Sequence, residues 1–176
     1  MDRKKDEETI LLSGQKVYKD DKRVEVCGIL DEVSCYIGVV KSFLERDDEV
    51  SKTLTKIQEQ LFALGSQISA LGSNKKTPTI TKEDLKFLEE INQKYGKNIP
   101  KLTSFIYPGG CKAAVFLHLA RAAARTSERA IVALSRRFIV DPLVLAYVNK
   151  LSSALFTLAR YVNLREGSGE EKWIRS

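Results

Sequence analysis

Val50, Leu54, Ile57, Leu61, Leu64, Ile68 and Leu71 fall at alternating spacings of four and three. That rhythm holds side chains on one face of an α-helix and cannot suit a strand, whose faces alternate at every residue. A narrow apolar seam of this kind must be buried against other helices. The rest of the chain therefore has to supply helical partners.

The same periodicity recurs on both sides. Val26, Ile29, Leu30, Val33, Ile37, Val40 and Leu44 predict a helix over about 21–46. A polar loop, GSNKKTPTIT, leads to Thr81, which can cap a third helix with Asp84 in its first turn. Leu85, Leu88, Ile91 and Tyr95 form that helix's inner face. Pro100 and the Pro108-Gly109-Gly110 turn bound a connector, and a long fourth helix is expected over about 110–137. Asp141-Pro142 reads as an N-cap followed by proline at the first helical position. The fifth helix then carries Leu145, Val148, Leu151, Leu155, Leu158 and Val162, and ends near Gly167-Ser168-Gly169. No segment has convincing strand alternation. The expected fold is all-α, an antiparallel five-helix bundle over residues 14–176, with residues 1–13 a mobile N-terminal segment.

Composition narrows the function. A net charge of +6 and a pI near 9.2 favour an anionic partner. Lys and Arg are interspersed with Asp and Glu, which argues against a nucleic-acid arm. No apolar run reaches the roughly 20 residues of a membrane span, and MDRKKDEET has no hydrophobic region. Cys27, Cys35 and Cys111 lack metal-site spacing and suit reduced thiols, so the expected location is cytoplasmic, away from membranes and nucleic acid. One histidine cannot build a multi-histidine metal centre, and the phosphate-binding Gly-x-x-x-x-Gly-Lys-Ser/Thr loop is absent.

The chemistry-bearing stretch is LHLARAAARTSERAIVAL. His118, Arg121, Arg125, Glu128 and Arg129 share one face of an alanine-rich helix. Guanidiniums held in a tight bundle are costly unless a carboxylate or a bound polyphosphate meets them. Taken singly, these arginines suit ion pairs and His118 suits a packed helix residue. Taken with Lys19 and Asn149, they equally suit an anionic ligand.

Four blocks occur in order: VYKDDKRVEVCGILDEVSCYIG, FIYPGG, LHLARAAARTSER and NKLSSALFTLAR. Together they resemble the ATP:cob(I)alamin adenosyltransferases of the PduO type over about residues 14–166. The family patterns are close to V-x-K-D-D-x-R-V-E-A-x-G-x-x-D-E-L, F-I-L-P-G-G, L-H-x-x-R-x-x-x-R-R-A-E-R and N-R-L-S-D-x-L-F-x-x-A-R. The resemblance implies a ferritin-like, adenosyltransferase-type five-helix bundle assembled as a homotrimer, with ATP and corrinoid sites between subunits. It implies that cobalt(I) of a reduced corrinoid attacks the 5′ carbon of ATP and expels triphosphate, with Mg²⁺ accompanying ATP and a reductase as a possible partner. Because cobalt is the nucleophile, the protein needs no catalytic triad or cysteine. By the same resemblance, Lys19 and Arg125 are phosphate-side cations, joined at the ligand by Arg129. Glu128 and Asn149 contact nucleotide or magnesium, Arg121 and Asp31 form an inter-subunit ion pair, and Phe105 faces the corrin. An ordinary core aromatic is the competing reading of Phe105.

The chain also departs from the family. Members usually open T-R-T-G-D-x-G-x-T, whereas MDRKKDEETILLSG keeps only Gly14 and so lacks the glycines through which backbone amides converge on phosphate. The family's second arginine is Thr126, its Asn-Arg is Asn149-Lys150, and its aspartate is Ser153. The expectation is weaker ATP binding than in relatives with the full loop. The alternative is a non-catalytic trimer of the same fold that binds a nucleotide or a corrinoid.

Overall fold

The computed structural model describes residues 6–174. Five long helices carry the fold: α1 Lys22–Ser42, α2 Glu49–Ser69, α3 Lys82–Gly96, α4 Lys112–Leu134 and α5 Pro142–Arg165. The helices start where the sequence supplies acceptors for their orphan N–H groups. Asp21 caps α1 and Asp48 caps α2, while Thr81 and Asp84 form a reciprocal capping box on α3. Asp141 caps α5 with Pro142 behind it. The α2 seam is buried as its spacing requires: Val50, Leu54, Ile57, Leu64 and Ile68 are all at 0% exposure. Each such aliphatic side chain contributes roughly 1.5–3 kcal/mol when fully buried.

Helix α4 lies between α1 and α5, and α5 also packs on α3. The alanines explain this central place. Ala113, Ala114, Ala120, Ala123 and Ala124 are buried and let both neighbours come close. Helix α5 is long and apolar enough to cross a membrane by composition, but half of that stretch is buried inside the bundle, as a core helix must be.

A small element was not expected. Residues Glu8–Ile10 (β1) and Lys16–Tyr18 (β2) form an antiparallel hairpin with Thr9 opposite Val17. Strands of three residues are too short for alternation to register in a sequence. The hairpin is tied to the bundle by Leu12 N donating to Ser69 Oγ at 2.9 Å and Lys75 Nζ donating to Leu12 O at 2.6 Å. Arg23 is 3% exposed and joins the pieces. It donates to Asp21 at 2.8 Å, Gln15 Oε1 at 2.9 Å and Leu71 O at 2.8 Å, and its guanidinium lies 4.8 Å from the Phe138 ring. Of the expected mobile segment 1–13, residues 1–5 lie outside the described residues, and residues 8–10 are strand β1.

Candidate active site

A cavity of about 700 Å³ opens between α4, α5 and the connector before α4. Helix α4 contributes His118, Arg121 and Arg125, and α5 contributes Ser152, Ser153 and Phe156. The connector contributes Ser104, Phe105 and Pro108. The connector is held from both sides. Asn163 on α5 donates from Nδ2 to Gly109 O at 2.9 Å and accepts at Oδ1 from Cys111 N at 3.0 Å. On the outer side, the segment after α5 runs back along it. Ile106 pairs with Lys172, Tyr107 N donates to Glu171 O at 2.9 Å, and Trp173 N donates to Phe105 O at 2.8 Å.

Phe105 is 79% exposed and lines the cavity, so it is not a core aromatic of the bundle. Its ring meets Trp173 edge-on at 6.4 Å between centroids. Two guanidiniums, those of Arg121 and Arg160, each stand 5.9 Å from the centre of the Phe156 ring. Arg160 is itself neutralised by Glu170, at 2.6 and 2.9 Å, and donates to Pro100 O at 2.8 Å. Arg121 has no such relief. Its Nε is buried without a partner among the described residues, and burial followed by the nearby Arg125 lowers its pKa. His118 is 4% exposed with both ring nitrogens unpartnered among the described residues. Burial, and then the Arg121 charge, push its pKa down to about 4, which leaves a neutral imidazole near pH 7.

Other residues singled out in the sequence lie outside this cavity. Glu128 accepts from Asn149 Nδ2 at 2.9 Å, a pairing between α4 and α5. Arg129 is exposed and turns along its own helix, donating to Thr126 Oγ1 at 3.0 Å. Lys19 is exposed just after β2. Asp31 is exposed on α1 and lines a separate cavity of about 280 Å³ with Leu12, Cys27 and Phe62. The chain thus brings together Phe105, Arg121 and Arg125, with Glu128 and Asn149 paired on the same two helices, and leaves Lys19 and Asp31 elsewhere. Asn163 and the segment after α5 escaped the sequence reading. The only hint was the polar Asn within an otherwise apolar turn of α5.

A sequence model of the family described as Cobalamin adenosyltransferase matches residues 1–162. The chain belongs to this family. Within the adenosyltransferases, it is 37% identical over 168 residues to the corrinoid adenosyltransferase of Bacillus subtilis, covering 94% of this chain and 86% of that one. It is 35% identical over 170 residues to corrinoid adenosyltransferase MMAB of Homo sapiens, covering 93% of this chain and 68% of that one. Among solved structures, it resembles a variant of the PduO-type ATP:corrinoid adenosyltransferase from Lactobacillus reuteri complexed with cobalamin and ATP. The TM-score is 0.90 at 30% identity, covering 97% of this chain and 96% of that one.

Proposed function

We propose that this adenosyltransferase moves the 5′-deoxyadenosyl group of ATP to cobalt(I) of a reduced corrinoid. The cobalt lone pair forms the bond to C5′, the C5′–O bond breaks, and triphosphate leaves with its electron pair. The observation that carries this reading is the cavity lined by exposed Phe105 together with Arg121 and Arg125. An apolar ring suits the flat face of a macrocycle, and guanidiniums suit a departing polyphosphate. Arg125 offsets the triphosphate charge as it develops, and Lys19 serves the phosphates from a different subunit. Phe105 covers the lower face of the corrin and excludes a lower axial ligand, which makes cobalt(II) easier to reduce.

The site is completed between subunits of a homotrimer. Arg121 Nε is buried without a partner among the described residues, and its proposed carboxylate, Asp31, lines a different cavity of the same chain. A closed assembly in which Asp31 of the partner subunit reaches Arg121 removes that cost. Among the described residues, no cluster of three or more acidic, His or Cys side chains could hold a metal. Magnesium suits such a site when it arrives on the phosphates and needs only one protein carboxylate, a role we assign to Glu128 beside the cavity. The work is cytoplasmic, and a reductase must supply cobalt(I).

The test is anaerobic incubation with Mg-ATP and chemically reduced cobalamin, following the spectrum of the adenosyl–cobalt bond. A new adenosyl–cobalt spectrum supports the reading. Tight binding of either ligand without that spectrum favours a non-catalytic binding protein, the reading to which the glycine-poor opening of the chain points.

A further inference from the structure

Four buried side-chain N or O atoms lack a hydrogen-bond partner among the described residues: Ser104 Oγ, His118 Nδ1, His118 Nε2 and Arg121 Nε. All three residues line the same cavity. Buried polar side chains elsewhere are satisfied, as Gln60 is by Asp84 and Tyr147, and Asn163 is by Gly109 and Cys111. Leaving a buried polar atom unpaired is costly; the partner's Asp31 answers Arg121 Nε in the proposed assembly, so the Ser104 and His118 atoms mark where a ligand's polar groups arrive.

Arg121 offers only donors. His118 and Ser104 are different. A neutral imidazole presents one N–H and one lone pair, and a hydroxyl presents either. Their complement is a group with a carbonyl oxygen and an N–H together. Phosphate has acceptors only. The rim of a corrin macrocycle carries primary carboxamides, which have both. The surrounding wall, with Leu102, Phe105, Pro108 and Phe156, suits an apolar ring at the same place.

We infer that His118 and Ser104 form a subsite that reads a peripheral carboxamide of the corrinoid and disfavours a corrinoid bearing a carboxylate at that position. This rests on the proposed function. A carboxylate would leave the imidazole lone pair unfilled or force a proton onto a histidine whose burial and Arg121 neighbour oppose it. The arginines do not reverse this, since in the proposed assembly Arg121 meets a carboxylate and Arg125 meets triphosphate. The adenine edge also pairs a donor with an acceptor, so the experiment separates the two substrates.

The full chain is titrated with cobalamin by quenching of Trp173, its only tryptophan, and KM is measured for cobalamin and for ATP. Wild type is compared with His118→Leu, His118→Gln and Ser104→Ala, and cobalamin with its monocarboxylate derivatives. The expected result for His118→Leu is a roughly tenfold rise in Kd and KM for cobalamin with KM for ATP unchanged, the size of one lost hydrogen bond to a buried group. His118→Gln, which keeps a donor and an acceptor, recovers most of that loss, and Ser104→Ala shows a smaller rise. At least one monocarboxylate binds wild type about tenfold more weakly, and His118→Leu abolishes that difference. An unchanged cobalamin Kd in His118→Leu overturns the inference, as does a rise confined to KM for ATP. Equal wild-type affinity for cobalamin and every monocarboxylate overturns it without any variant, should His118→Leu fail to fold. Wild type that adenosylates cobalamin while these comparisons fail leaves the function standing, whereas wild type that neither binds nor adenosylates cobalamin removes both.

Discussion

Asn163 Oδ1 stands 2.0 Å from where a Cβ on Gly110 would be, so α5 and the turn before α4 touch through a place only glycine can occupy. Gly110 also has φ +106°, a conformation that side chains other than glycine rarely adopt. The contact fixes the end of the connector that carries Phe105.

Gly110→Ala is therefore expected to cost about 2–4 kcal/mol, combining backbone strain with loss of the Asn163 hydrogen bonds. Asn163→Ala should cost about 1–3 kcal/mol, because it leaves Cys111 N without that acceptor. Urea unfolding of both variants checks this. Stability equal to wild type in both would mean that the turn is not held by Asn163.

Phe105→Ala should leave thermal stability nearly unchanged, within about 0.5 kcal/mol, because the ring is 79% exposed. Adenosylation of cobalamin should slow far more than ATP binding weakens. A large drop in Tm with no selective effect on transfer would return Phe105 to a packing role.

Arg125→Ala should weaken Mg-ATP binding roughly 10- to 100-fold, the range of one charge-assisted hydrogen bond to phosphate, with the far-ultraviolet spectrum unchanged. Lys19→Ala should weaken it in the same direction. Calorimetric titration reads both. Disassembly with unaltered ATP affinity would instead make these cations structural.

The proposed Asp31–Arg121 pairing has a charge-reversal test. Asp31→Arg or Arg121→Asp alone should shift the proposed trimer toward monomer in light scattering, and the double exchange should restore it in part. A wild-type chain that is a stable monomer at micromolar concentration rules out the inter-subunit site.

His118 makes stability depend on pH with a definite sign. Its folded pKa is about 4 against an ordinary 6.5, so the unfolded chain binds the extra proton between those values. The stability that goes with the neutral imidazole is present above about 6.5 and is lost as pH falls toward about 4. Urea midpoints measured across that window should show a one-proton slope that His118→Gln lacks. An identical slope in both proteins would mean that His118 is not held neutral.

The sequence by itself determined the helices and their order. Seam spacing, Thr81 with Asp84, and Asp141-Pro142 are local signals, set within a turn or two of the backbone they govern. The stripe through His118, Arg121 and Arg125 was legible for the same reason, and the ordered motif blocks carried the family. Arg129 shared that stripe by spacing, yet it turns to Thr126, because a helical face is broader than the cavity cut into it. Only the tertiary structure decided that Phe105 stands exposed beside Trp173, that Arg23 ties the hairpin's Gln15 to the turn after α2 at Leu71, and that Asn163 holds the Gly109-Gly110 turn. It alone buried His118 without a partner among the described residues and put Asp31 on a different cavity. Each of these joins segments far apart in the chain, and a contact between distant segments leaves no period or spacing in the sequence from which to read it.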